Sequence, residues 1–319
     1  MGDNYYRKVK EIDNHLNMVD GPAGLRLSKI YGIDSVGIHK LSPNIFKYTN
    51  YIQLKKQKKI DLSPNKTIDI KNFNYSKIRY QYATAIPIAT ALAQSFNIDY
   101  LEKLGKLIGK EMQMFNVHLW LAPAMNIHRN ILCGRNFEYF SEDPLISGKM
   151  AAAMTRGVQS YKNKGTTLKH FAANNQEFNR LNNNSKMSER TLREIYLKGF
   201  KIAIEESNPR AIMTSYNLIN GIHTSQDESL LIDVLRNEWK YDGLIMTDWT
   251  HTGNIHYKLS KHPPQYALDI IKGGNNIIMP GGLNEYIELE TKLKENLLSR
   301  NDLLHCSSKV YETIKLLNS

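Results

Sequence analysis

Two cysteines are all the thiol chemistry that this chain of 319 residues carries. Cys133 and Cys306 stand far apart and outside any CxxC pattern. That excludes a disulfide framework and fits a reduced, cytoplasmic protein with free thiols. No run of 18 or more apolar residues occurs, so neither a membrane span nor a membrane partner is expected. The opening Met1-Gly-Asp-Asn-Tyr-Tyr-Arg has no apolar h-region, and Tyr6 stands where a myristoylation site needs Ser or Thr. A dinucleotide fingerprint is missing too, because Asp20-Gly-Pro-Ala-Gly lacks the GxGxxG spacing, and there is no Walker pattern. Without HExxH or a Cys–His cluster, metal chemistry is poorly served. No cofactor and no metal are expected.

Positive charge is plentiful: 42 Lys and Arg against 31 Asp and Glu give a net charge of +11. A surplus of that size attracts anions. The lysines are scattered, however, and only Lys55-Lys56-Gln57-Lys58-Lys59 form a cluster. That cluster reads as a solvated loop, so no specific nucleic-acid partner is expected. The rest of the composition, 41% hydrophobic and 23% charged, is ordinary for a soluble globular protein. It suits one large domain or two small ones.

Organisation becomes regular only after the first quarter of the chain. Residues 1–15 read as a polar lead-in, and Leu16–Asp20 as an apolar run turning at Gly21-Pro22-Ala23-Gly24. Over 28–80 periodicity is weak, which predicts a long, irregular insertion contributing to a pocket rim. From Ala85 onward, strand-like and helical stretches alternate. Strands are expected at 86–93 (where the Ala content also allows a helix), 117–123, 166–172, 211–217, 244–248 and 276–280. Helices are expected at 98–115, 142–161, 188–206, 227–239, 266–272, 284–298 and 302–317. About seven strands and about seven helices in alternation imply α/β architecture with a parallel sheet. A (β/α)8-like TIM barrel, complete or incomplete, accounts for the count better than an open sheet. The whole chain, 1–319, reads as one such domain.

The stretch Gly243-Leu-Ile-Met-Thr-Asp248-Trp249 organises this reading. An apolar run opened by Gly is the pattern of a strand buried on both faces. It ends on Asp, a poor strand former, beside an indole. Asp248 could be a nucleophile aimed into a sugar-sized pocket with Trp249 as its platform, or a cap for the next helix. In a parallel barrel, chemistry collects at the carboxyl ends of the strands. The other strand ends carry Asp20, Pro123 with Asn126 and His128, Lys169-His170, and Tyr216-Asn217. Each has a bland explanation: a turn residue, a core histidine, a rim aromatic. Together, two carboxylates, a Lys, a His, a Tyr and a Trp suit a polyhydroxylated ligand.

Four motifs then carry a resemblance. Asp20-Gly-Pro-Ala-Gly-Leu-Arg, Gly134-Arg135-Asn-Phe-Glu138-Tyr-Phe-Ser-Glu-Asp-Pro144, Lys169-His170-Phe-Ala-Ala-Asn-Asn-Gln-Glu177 and Met246-Thr-Asp248-Trp249 resemble the β-glucosidase branch of glycoside hydrolase family 3. The resemblance implies a barrel, often incomplete, and a retaining exo-glycosidase acting on a β-glucoside or oligosaccharide. Asp248 is similar to the family nucleophile, and Asp20, Arg135, Lys169, His170 and Arg180 to its sugar-hydroxyl binders. Tyr216 resembles the phenol beside the nucleophile, and Trp249 the stacking wall. The KHFPGHG loop of the N-acetylglucosaminidase branch is replaced by Lys169-His-Phe-Ala-Ala-Asn-Asn, which argues against that branch. The nearby cations Arg135, Lys169 and Arg180 are expected to depress the Asp248 pKa.

The resemblance also implies an acid/base Glu from a separate α/β sandwich domain, which these 319 residues leave no room for. The expectation is an acid supplied by another domain, with these residues a fragment of a longer protein, or by a partner domain on another chain, as half of a split enzyme. Glu138, Glu142, Asp143 and Glu177 are the alternatives in this chain. A carbohydrate-binding barrel without activity is the competing reading.

Overall fold

Short apolar segments pair in parallel to form the central sheet. The structure, a computed structural model, describes residues 16–27, 30–33, 38–41, 77–80, 82–249, 260–262 and 265–318. The lead-in over 1–15 and the Lys55–Lys59 cluster lie outside the described residues. By its contacts the chain divides into two compact units, one of residues 1–25 with 85–319 and the other of 26–84.

In the smaller unit, β2 (Ile30–Ile33) pairs antiparallel with both β3 (Ile38–Leu41) and β4 (Lys77–Tyr80). The stretch expected to be irregular therefore contains a three-stranded sheet. Alternation too short to register as strand periodicity, interrupted by a long connection, hid it from a pattern reading.

The larger unit begins with β1 (Met18–Asp20). Two helices follow, α1 (Ala89–Ala93) and α2 (Ile98–Met114), then β5 (Leu119–Leu121), α3 (Pro144–Gln159) and β6 (Gly165–Phe171). A small strand β7 (Asn184–Ser185) precedes α4 (Glu189–Thr191), a π-helical turn Leu192–Tyr196 and α5 (Lys198–Ser207). Next come β8 (Ala211–Thr214), β9 (Leu218–Ile219), β10 (Ile222–His223) and a π-helical segment Ser229–Glu238. The chain continues with β11 (Leu244–Trp249), α6 (Ala267–Lys272), β12 (Ile277–Met279), α7 (Leu283–Lys294) and α8 (Arg300–Asn318).

Six strands form one parallel sheet in the order β1-β5-β6-β8-β11-β12, an incomplete (β/α) barrel. One expected strand is absent from it. Ile86–Ala93 is extended only to Ile88 and then forms α1, because its alanines favour helix. Elsewhere the helix starts follow from local chemistry. Asn97 accepts from the Tyr100 amide at 2.9 Å and Asp143, before Pro144, from the Leu145 amide at 2.7 Å.

Alternation along the strands decides which side faces what. Leu119 and Leu121, Ala211 and Met213, and Leu244 and Met246 share one core cluster with Met279 and with Leu317 of α8. Leu16, Met18 and Val310 pack against the same cluster. The last helix thus lies against the inner layer that the strands build. At the entrance to β11 only glycine fits: a Cβ on Gly243 would stand 2.1 Å from the Tyr241 hydroxyl oxygen and 2.9 Å from the Arg210 carbonyl oxygen.

Candidate active site

Asp248 leaves β11 almost fully buried, with 6% of its surface exposed. Its Oδ1 accepts from the Trp249 backbone amide at 2.7 Å, a contact made by its own turn of chain. Its Oδ2 is buried and has no hydrogen-bond partner among the described residues. The nearest basic atom to it is His170 Nε2, 3.7 Å away. Burial raises the carboxyl pKa above its ordinary value, while the Trp249 amide and then Lys169, Arg135 and Arg180 pull it down. The net direction is upward, which corrects the expectation of a depressed pKa. The three cations act as expected, but removal of water from the carboxylate outweighs them.

His170, in β6, is held from every side. Its backbone amide donates to Asn126 Oδ1 at 2.9 Å, and Asn126 Nδ2 donates back to the His170 carbonyl at 2.9 Å. Arg135 Nη2 lies 2.8 Å from His170 Nε2. A guanidinium only donates, so Nε2 is the acceptor and the ring proton sits on Nδ1. The contact between His170 and Asp248 is therefore not an ion pair. Burial, then Arg135, Lys169 and Arg180, hold the imidazole pKa well below its ordinary value, so the ring is neutral near pH 7.

Arg135 stands at the start of a short 3-10 turn, Asn136–Glu138. His128 supports that turn, with Nε2 2.9 Å from both the Asn136 and Tyr139 carbonyl oxygens. The guanidinium pairs with Glu138 and lies 3.6 Å from Glu177 Oε1. Glu177 also accepts from Asn174 Nδ2 at 2.9 Å and from Arg180 Nη1 at 3.0 Å. Arg180 in turn lies over the Tyr216 ring, 4.4 Å from its centroid. The Tyr216 hydroxyl donates to the Trp249 carbonyl at 2.7 Å. On the other flank, Lys169 Nζ donates to Asp20 Oδ1 at 2.5 Å, joining β6 to β1 across the intervening β5.

Asp20, Arg135, Lys169, His170, Arg180, Tyr216, Asp248 and Trp249, drawn from six separate segments, are thus linked by direct contacts or by charge felt at Asp248. Of the in-chain acid alternatives, Glu138 and Glu177 are engaged by arginines, Asp143 caps α3, and Glu142 is exposed. Among the described residues no group of three or more His, Cys, Asp or Glu side chains is placed to hold a metal ion.

Comparison with known proteins identifies the family. The model of the glycosyl hydrolase family 3 N terminal domain matches residues 48–304. The chain belongs to glycoside hydrolase family 3. Beta-glucosidase A of Butyrivibrio fibrisolvens is 44% identical over 220 residues, covering 69% of this chain and 25% of that protein. An exo-alpha-(1->6)-L-arabinopyranosidase of Bifidobacterium longum is 48% identical over 194 residues, 59% of this chain and 26% of its own length. Among solved structures, beta-glucosidase 3B of Thermotoga neapolitana in complex with alpha-D-glucose superposes with a TM-score of 0.70 at 37% identity, covering 94% of this chain and 34% of that one. The chain spans about a quarter of the length of these curated relatives.

Two buried side chains that touch the candidate residues were not singled out from the sequence. Tyr139 lies edge-on to His170, with ring centroids 6.3 Å apart, and its hydroxyl donates to the Asn174 carbonyl at 3.2 Å. Both Tyr139 and Asn174 fall inside quoted motifs, directly after Glu138 and three residues before Glu177. Their burial, at 0% exposure each, is what single-sequence reading could not supply.

Proposed function

We propose that the chain is the nucleophile-bearing barrel of a retaining exo-β-glycosidase that removes terminal β-D-glucosyl residues. The observation that carries this reading is the Asp248 Oδ2 atom, buried at a strand end with no hydrogen-bond partner among the described residues and three cations acting on the carboxylate. A buried carboxylate oxygen left unmatched costs stability and calls for an explanation, which a nucleophilic role supplies. In the first step Oδ2 attacks the anomeric carbon, a glycosyl ester forms, and the bond to the leaving oxygen breaks as that oxygen takes a proton. In the second step water attacks the same carbon, gives up its proton to the base, and the Asp248 carboxylate is released.

Asp20, Arg135, Lys169, His170 and Arg180 would hold the sugar hydroxyls, with Tyr216 fixing the exit of β11 and Trp249 forming a wall. Glu138 and Glu177 are committed to Arg135 and Arg180, so the proton for the leaving group comes from an acid/base carboxyl of another domain or chain. The named relatives, two glycosidases and a glucose-bound β-glucosidase, support the substrate class. The same engagement of both glutamates favours a second reading, a barrel that binds glucose without turning a glycoside over.

Incubation with 2,4-dinitrophenyl 2-deoxy-2-fluoro-β-glucoside, whose leaving group needs no acid, separates the readings. The expected result is a fluoroglucosyl adduct on the peptide containing Asp248, absent in Asp248→Asn. Glucose binding by calorimetry with no adduct would leave only the binding role.

A further inference from the structure

Arg180 begins a 3-10 turn of three residues, Arg180–Asn182, too short to fix its own orientation. The turn is entered through Asn179 at φ +52°. A segment about eighty residues downstream holds it. Ser260 Oγ donates to the Leu181 carbonyl at 2.9 Å, the Lys261 amide to Asn182 Oδ1 at 2.7 Å, and His262 Nε2 lies 3.0 Å from the Asn182 carbonyl oxygen. A carbonyl only accepts, so His262 carries its proton on Nε2. The three consecutive residues are themselves stapled, since the His262 amide donates to Ser260 Oγ at 3.2 Å. Behind them the His262 ring stands edge-on to His223 of β10, with centroids 6.4 Å apart. The sheet of β10, β9 and β7 then leads back to the end of the same turn, where the Leu218 amide donates to the Asn183 carbonyl at 3.0 Å.

We propose that Ser260, Lys261 and His262 form a clasp whose role is to position Arg180, with His262 as the principal positioning residue. The inference rests on the reading of Asp248 as the nucleophile and goes beyond it in assigning a function to residues outside the ring of strand ends. The physical argument is one of lever and target. Arg180 reaches Tyr216 at 4.4 Å and Glu177 at 3.0 Å, and its charge is one of three that lower the Asp248 carboxyl. Movement of the turn moves that charge, whereas Lys169 is fixed in β6 and Arg135 at a separate turn held by His128. The clasp therefore tunes the ionisation of Asp248 and the hold on the sugar without touching either.

The test compares the full chain with His262→Ala, His262→Gln and Asn182→Ala. The first readout is the rate at which phenylglyoxal modifies Arg180, followed by peptide mass spectrometry. The second is the pH profile of kcat/KM for 2,4-dinitrophenyl β-glucoside. In His262→Ala, Arg180 is expected to react several-fold faster. The value of kcat/KM falls on the order of 10-fold, mainly through KM, and the acid limb moves to higher pH because Asp248 loses part of its cationic neighbourhood. His262→Gln, whose amide still donates, restores most of the wild-type behaviour. Asn182→Ala, which removes the acceptor of the Lys261 amide, gives the same direction of change should His262→Ala fail to fold. An unchanged Arg180 reactivity and acid limb in the alanine variants overturns the clasp, as does a glutamine variant no better than alanine. Should the wild type not hydrolyse the glucoside, the glycosidase reading fails, and the arginine labelling still decides the clasp.

Discussion

Arg135 Nη2 donates to His170 Nε2 across 2.8 Å, and that one bond decides what the imidazole can do. With its Nε2 lone pair occupied by a guanidinium, His170 is a fixed neutral dipole. It is not a proton donor to Asp248.

A stability consequence follows from that neutrality. The folded pKa of His170 lies well below its ordinary value of 6.5, so as pH falls from about 6.5 the unfolded chain takes up a proton that the folded protein refuses. The contribution is fully present above about pH 6.5 and is lost as pH drops toward the folded value. Thermal unfolding midpoints measured from pH 7.5 to 5 should decline, and His170→Gln should flatten that decline. Parallel curves for the two proteins would contradict this account.

Asp248 carries the opposite sign. Its folded pKa is raised above 3.8, so its protonated form suits the fold, and stability is lost as pH rises through the folded value. At pH 7 the buried carboxylate is a burden, and Asp248→Asn should unfold at a temperature higher by about 2 °C or more. The difference should vanish near pH 3, where both side chains are neutral. Equal midpoints at pH 7 would show that the site's cations compensate fully for burial.

Lys169→Met removes both the bond to Asp20 and one of the charges that lower Asp248. A fall in kcat/KM on the order of 100-fold is expected. The acid limb of the pH profile should also shift upward, as measured with an aryl glucoside of good leaving group. A fall without any shift would confine Lys169 to holding Asp20 and the ligand.

Much of this was legible before the structure. Gly243 to Trp249 read as a buried strand, and five of the other expected strands joined it in one parallel sheet, because short apolar runs bounded by turn residues leave few alternatives. Ile86–Ala93 misled because its alanines suit a helix as well as a buried strand. The candidate residues were legible as strand ends and as motifs. Their electrostatics were not. Three cations near one carboxylate suggest a lowered pKa, and only the burial of Asp248 reverses the sign. Ser260–His262 carried no pattern at all, since a clasp formed by a backbone amide, a hydroxyl and an imidazole depends on a fold that brings distant segments together.

Leu317 packs in the same cluster as Met246, two residues before the candidate nucleophile, and Leu16 and Met18 lie against it. The inner layer under Asp248 therefore joins residues about three hundred positions apart. Contacts of that sequence separation form late and slowly. Any process that lifts α8 away, whether heat, a protease or an unfinished polypeptide on the ribosome, would loosen the floor beneath β11 and its candidate nucleophile before it disturbed the outer helices. Loss of activity should on this ground precede loss of helical content.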